Sequence, residues 1–167
     1  MRIDPDYARV MARYNRWQNQ SCYREAARLS EAERKQDRGA FFKSIHGTLS
    51  HILFGDQIWL HRFAATPAPR AKSIKESADA YPDFTSLTDD RVAFDDDIIA
   101  WANALDPAWL HGDLTWFSEA LGREVTRSRA LLVVHFFNHQ THHRGQVHAL
   151  LTSVGLKPDD TDLAFMT

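Results

Sequence analysis

The sequence predicts an all-α protein: a four-helix bundle with a long loop at 66–83 and a small hairpin-like excursion before the last helix. Three observations carry this expectation. Four stretches place apolar residues at helical spacing, no stretch sustains a strand pattern, and 167 residues suffice for one substantial core but not two. A single domain over 1–167 follows, with no internal repeat and no low-complexity tract.

After Pro5, the residues Tyr7, Val10, Met11, Tyr14, Trp17, Cys22 and Leu29 keep helical spacing. "SEAERKQDRGA" then breaks the pattern with charge and a glycine, which bounds a first helix at roughly 6–29. "AFFKSIHGTLSHILFGDQIWLHRFAA" is apolar over more than half its circumference, and its length of about seven turns makes it a second, largely buried helix. The segment 66–83 holds three of the six prolines and reads as a long excursion over the surface. The third helix carries Leu87, Val92, Ile98, Ile99, Ala102 and Leu105, and should stop at Asp106 because Pro107 disfavours helical backbone in the residue before it. "DLTWFSEALGREVTRSR" alternates weakly around Gly122, as a short hairpin would. The fourth helix starts near Ser128 and runs to Ser153, with Gly155 as its stop signal.

Composition bounds the function. With 44% hydrophobic and 25% charged residues the chain reads as a globular protein. A net charge of −2 and no basic run argue against nucleic acid as a partner. The single cysteine, Cys22, cannot form an internal disulfide, which fits a reducing compartment, and it reads as a small half-buried helix residue. "MRIDPDYARV" lacks an apolar signal region, and nowhere do eighteen apolar residues run together, so a cytoplasmic protein that does not span a membrane is expected.

The chemistry concentrates in "NHQTHHRGQVH", residues 138–148, which holds four of the nine histidines. With His139 set to zero and ~100° per residue, Leu132, Phe136, Val147, Leu150 and Val154 fall between about 20° and 80°. His139 and His143, at zero and about 40°, lie in or beside this apolar stripe, one turn apart. His135 and His142 sit at its edge and His148 on the opposite, solvated side. A neutral imidazole needs a partner at each ring nitrogen, and two buried side by side among Phe, Leu and Val have few available. A divalent metal satisfies both exposed nitrogens at once, and an i, i+4 histidine pair is the geometry of helical zinc sites.

A third ligand must come from another helix, and the second helix offers His46, His51 and His61. His51 is flanked by apolar residues on both sides, whereas His46 and His61 fall farther from the main stripe. Gly47 and Gly55 stand four residues before and after His51; glycine costs roughly 1 kcal/mol in a helix interior, so the pair signals a need for space or a close helix approach. His51, His139 and His143 are the candidate metal ligands. Gln146, Asn138 and His142 are candidates for orienting a ligand or contacting a bound molecule. Asp56 is expected to orient a polar neighbour, Arg144 to project away towards a dimer contact or salt bridge, and Trp17 and Trp59 to be core.

The segments "YNRW", "SIHGTLSHILFGDQIWLHR", "NHQTHHRGQ" and "GLKPDDTDL", taken in that order and spacing, resemble the DinB/YfiT-like superfamily of four-helix proteins over nearly the full length. The resemblance implies a divalent metal held by one histidine of the second helix and two of the fourth, which fall on His51, His139 and His143. It also implies a homodimer, and metal-dependent transferases or isomerases that use low-molecular-weight thiols.

Three neutral histidines leave a metal its charge and an open position, the arrangement of catalytic zinc sites. The expected function is activation of water or a small thiol towards a small-molecule substrate, with thiol transfer or isomerisation first. A metal-dependent hydrolase and a non-catalytic metal-binding dimer are the alternatives. All-imidazole ligation suits zinc or nickel, with iron also compatible.

Overall fold

The computed structural model describes residues 2–119 and 121–166. Its helices are α1 (Pro5–Ala26), the short α2 (Glu31–Lys35), α3 (Ile45–Ala64), α4 (Phe84–Ala104) and α5 (Arg129–Ser153). Each begins at a residue whose side chain accepts a backbone N–H of the first turn: Asp4 from Tyr7, Ser30 from Glu33, Ser44 from Gly47, Asp83 from Ser86 and Ser128 from Leu131. Such caps satisfy donors that a helix start otherwise leaves open. Among the four long helices, α3 packs on α5 and α4, and α1 packs on α4 and α5. Leu53, Leu60, Ile98, Phe136, Phe137 and Leu151 are buried between them.

Strands β1 (Asp113–Ser118) and β2 (Arg123–Ser128) form the antiparallel hairpin, with Trp116 opposite Val125. The hairpin feeds directly into the Ser128 cap and brings Trp116 edge-on to Trp59, with ring centroids 5.3 Å apart. The C-terminal residues run along α1: Tyr14 donates to the Thr161 carbonyl at 2.6 Å and Gln18 to that of Asp160 at 2.9 Å.

Several boundaries differ from the sequence expectation. The first helix ends at Ala26 rather than Leu29, and "SEAERK" contains its own short helix, because Ser30 and Glu33 form a reciprocal capping box. The second helix begins at Ile45, not Ala40: Lys43 takes a left-handed backbone (φ 63°) and bridges back to Ala40, so the apolar run continues through a turn. The third helix stops at Ala104, two residues before the one preceding proline. The 66–83 segment is not wholly a surface excursion. Its Ser77 and Tyr81 are buried, and Ser77–Asp79 forms a 3-10 turn against α3.

A buried polar network ties the four long helices together. Asn19 of α1 donates to Asp95 of α4 at 2.9 Å; Arg91 of α4 lies 2.9 Å from Asp95 and 2.6 Å from Asp56 of α3; Gln140 of α5 donates to Asp56 at 2.5 Å. All five residues are buried. Asp56 adjoins Gly55 and Gln140 adjoins His139, so this network fixes the register of α3 against α5 where the histidines lie. A buried pair of this kind adds little net stability over an apolar replacement, but removing one partner alone strands a buried charge.

Candidate metal centre

The register of α3 against α5 brings three histidines from two helices together. Ring centroids are 4.7 Å apart for His51 and His143, 4.5 Å for His139 and His143, and 5.3 Å for His51 and His139. One nitrogen from each lies within 4.8 Å of the others, and the group contains no carboxylate. His51 is buried, and His139 and His143 are half-buried. Burial, reinforced by the neighbouring imidazoles, pushes His51 and His139 down to about 3. Burial also lowers His143. All three rings are therefore neutral at pH 7 and offer lone pairs without first losing a proton.

Hydrogen bonds fix two tautomers. The Ser77 hydroxyl donates its one proton to the Ile74 carbonyl at 2.6 Å, so at 2.8 Å from His51 Nδ1 it can only accept. His51 thus carries its proton on Nδ1 and leaves Nε2 bare. His143 Nδ1 lies 2.8 Å from Gln146 Oε1, again an acceptor, which leaves the Nε2 of His143 bare as well. The Gln146 amide nitrogen lies 3.4 Å from His142 Nε2. A partner on the far nitrogen that sets tautomer and ring orientation is the usual support of a metal-ligating histidine.

Space for His139 comes from Gly55. A Cβ there would stand 2.7 Å from His139 Cε1 and 3.1 Å from its Nδ1. Gly47 serves another purpose: a Cβ there would meet the Phe42 carbonyl at 2.5 Å, so this glycine admits the turn that precedes α3. That turn delivers Phe42, whose ring stacks on His51 with centroids 3.7 Å apart and planes at 18°. The loop beyond α3 is stapled to the same helix: Ser50 donates to the Ser77 carbonyl at 2.5 Å, and His46 Nε2 lies 3.0 Å from the Tyr81 carbonyl. Bare nitrogens, fixed tautomers and a cradle that a methyl group would fill all fit a bound divalent cation.

The other candidates are placed as follows. Asn138 and His142 are exposed, and only His142 touches the cluster, with its ring 4.8 Å from that of His143. His135 packs edge-on against the buried Trp59, while Trp17 is half-buried. His148 is half-buried rather than solvated. Arg144 does not project outwards: it is buried, donates to Asn15 and lies over the Tyr14 ring, because α5 is covered by α1 on this side as it is by α3 on the other. Cys22 is fully buried, and burial pushes its thiol up to about 11, so it is no nucleophile at neutral pH. Sequence reasoning missed Ser77 and Phe42, since a loop serine and a phenylalanine next to another carry no periodic mark.

Among the described residues, no helix is long and apolar enough to cross a membrane. The DinB family profile matches residues 5–167. The chain is 27% identical over 169 residues to Protein DinB of Bacillus subtilis (strain 168), covering 97% of this chain and 96% of that protein. Its fold is similar to the crystal structure of a DinB-like protein from Bacillus cereus ATCC 10987, with a TM-score of 0.54 at 18% identity, covering 86% of this chain and 90% of the other. With its fold, its three-histidine cluster and a family match across almost its whole length, the chain belongs to the DinB family.

Proposed function

We propose that the chain is a metal-dependent enzyme whose three-histidine centre, His51, His139 and His143, activates a small thiol for transfer to, or isomerisation of, a small electrophilic substrate. The observation that carries this reading is the neutral, all-imidazole donor set with two tautomers held in place. A divalent zinc or nickel ion bound there supplies Lewis acidity that favours the deprotonated form of a water or thiol at neutral pH. The chain's own contribution is to hold the rings. Ser77 keeps His51 in one tautomer, Gln146 does so for His143, and Phe42 covers the face of His51 against water.

The test is a titration of the cobalt-substituted protein with cysteine, with and without the His143→Ala substitution. Cobalt–sulfur charge-transfer absorption that appears with cysteine and vanishes in the variant supports the thiol reading. If the metal is retained but no such absorption appears, a thiol role fails and a water-using hydrolase takes its place. The homodimer belongs to the same proposal, and sedimentation of the metal-loaded protein tests it.

A further inference from the structure

Arg70 and Tyr81, at the two ends of one loop segment, converge on a single carboxylate oxygen of α4. Arg70 Nε and Nη2 lie 3.0 and 2.9 Å from Asp90 Oδ2, and the Tyr81 hydroxyl donates to the same atom at 2.9 Å. The Arg70 guanidinium also lies over the Tyr81 ring, 4.9 Å from its centroid. Burial pushes the Tyr81 phenol up to about 12, so at neutral pH the hydroxyl keeps the proton it donates to Asp90. Asp90 thus closes the 70–81 segment into a loop at its base.

The middle of that loop docks on α3. Ser77 is fully buried, its carbonyl accepts from Ser50 at 2.5 Å, and its hydroxyl is the acceptor for His51 Nδ1 at 2.8 Å. The hydroxyl accepts there because its own proton is committed to the Ile74 carbonyl at 2.6 Å, a contact made within the same loop. Tyr81 takes part in both anchors: its side chain bonds Asp90 of α4, and its carbonyl lies 3.0 Å from His46 Nε2 of α3. The side chains of Arg70 and Asp90 are 53% and 35% exposed, and ion pairs so placed contribute little to stability. What they supply is position, since a loop held at both ends has fewer arrangements open to the turn at its middle.

We propose that Asp90 is a positioning residue for the histidine centre: by clamping Arg70 and Tyr81 it sets the turn that presents the Ser77 hydroxyl to His51, and so keeps His51 Nε2 bare. The proposal rests on the reading of His51 as a metal ligand, and extends that site to a carboxylate on α4, a helix that supplies none of the three histidines.

The test compares wild type with Asp90→Ala and Tyr81→Phe, and with Asp89→Ala, which removes the same charge from an exposed neighbour on α4. In metal-free protein the ring-nitrogen NMR shifts of His51 report which nitrogen carries the proton, a readout that a loss of stability alone would not move. Wild type and Asp89→Ala are expected to hold His51 in the Nδ1–H form, whereas Asp90→Ala and Tyr81→Phe raise the share of the Nε2–H form. Zinc affinity from chelator competition should fall roughly 3–10-fold in those two variants, less than the 10–100-fold of a direct outer-shell partner, and stay unchanged in Asp89→Ala. An unaltered His51 tautomer in either variant, a shifted tautomer with unchanged zinc affinity, or the same change in Asp89→Ala would overturn the proposal. The tautomer is read without metal, so a wild-type centre that bound no zinc would sink the metal reading while the tautomer still decided the role of Asp90.

Discussion

Replacing Gly55 with alanine separates the fold from the centre. The added methyl carbon would stand 2.7 Å from His139 Cε1, against 3.4 Å for the lower edge of ordinary contact, a shortfall of about 0.7 Å. Functional constellations tolerate displacements of only about 0.5 Å, so His139 must leave the position from which it is proposed to share an ion with His51 and His143. Metal affinity should fall at least tenfold, about 1.4 kcal/mol. The fold itself gains roughly 1 kcal/mol of helix propensity and loses about 1–3 kcal/mol to overpacking. The melting temperature of metal-free protein should therefore shift by only a few degrees, at about 2–4 °C per kcal/mol for a chain of this size. Competition with a chromogenic zinc chelator gives the affinity, and a melt in excess chelator gives the stability. Wild-type affinity in Gly55→Ala would refute the argument that this glycine exists to seat a ligating ring.

The remaining predictions follow the same logic. Ser77→Ala removes the only acceptor for His51 Nδ1 among the described residues and should weaken zinc binding roughly 10–100-fold in the same competition; an unchanged affinity would show that Ser77 does not orient His51. In metal-free protein, His51 and His139 stay neutral down to about pH 3, whereas their unfolded counterparts take up protons near 6.5. Stability is therefore complete above about pH 6.5 and falls as the pH drops towards 3, by about 2 kcal/mol per histidine at pH 5. Urea unfolding at pH 7.5 and 5.0 should show a loss about 4 kcal/mol larger in wild type than in a His51→Leu/His139→Leu variant, and equal losses would contradict it. Arg91→Met strands the buried Asp56 and Asp95 and should cost about 3–5 kcal/mol by urea unfolding; a loss under about 1 kcal/mol would remove the network from the account of α3–α5 register.

How much of this was legible in the sequence depends on whether a residue's role was set within one helix or between segments. That His139 and His143 face the same neighbour was readable because an i, i+4 pair beside an apolar stripe projects to one side of a single helix. His51 was readable from its apolar flanks. The glycines beside it marked a need for space, yet only the packed structure separates Gly55, which seats His139, from Gly47, which admits the Phe42 carbonyl. Arg144 was misplaced because a projection referred to one stripe treats the opposite side as solvent, and α5 is covered on both sides. The start of α3 was misplaced because hydrophobicity runs on through Phe41 and Phe42, while the backbone reverses at Lys43. Ser77 was not legible at all: its role arises from a loop docking onto a helix 26 residues earlier in the chain.

The central claim is that one ion is shared by a histidine of α3 and two of α5. Anomalous diffraction at the zinc and nickel edges, on crystals of protein purified without chelator, tests it most directly. The account predicts a single strong peak per chain bonded to His51, His139 and His143. A metal bound elsewhere, or no peak in protein given stoichiometric zinc, would contradict it.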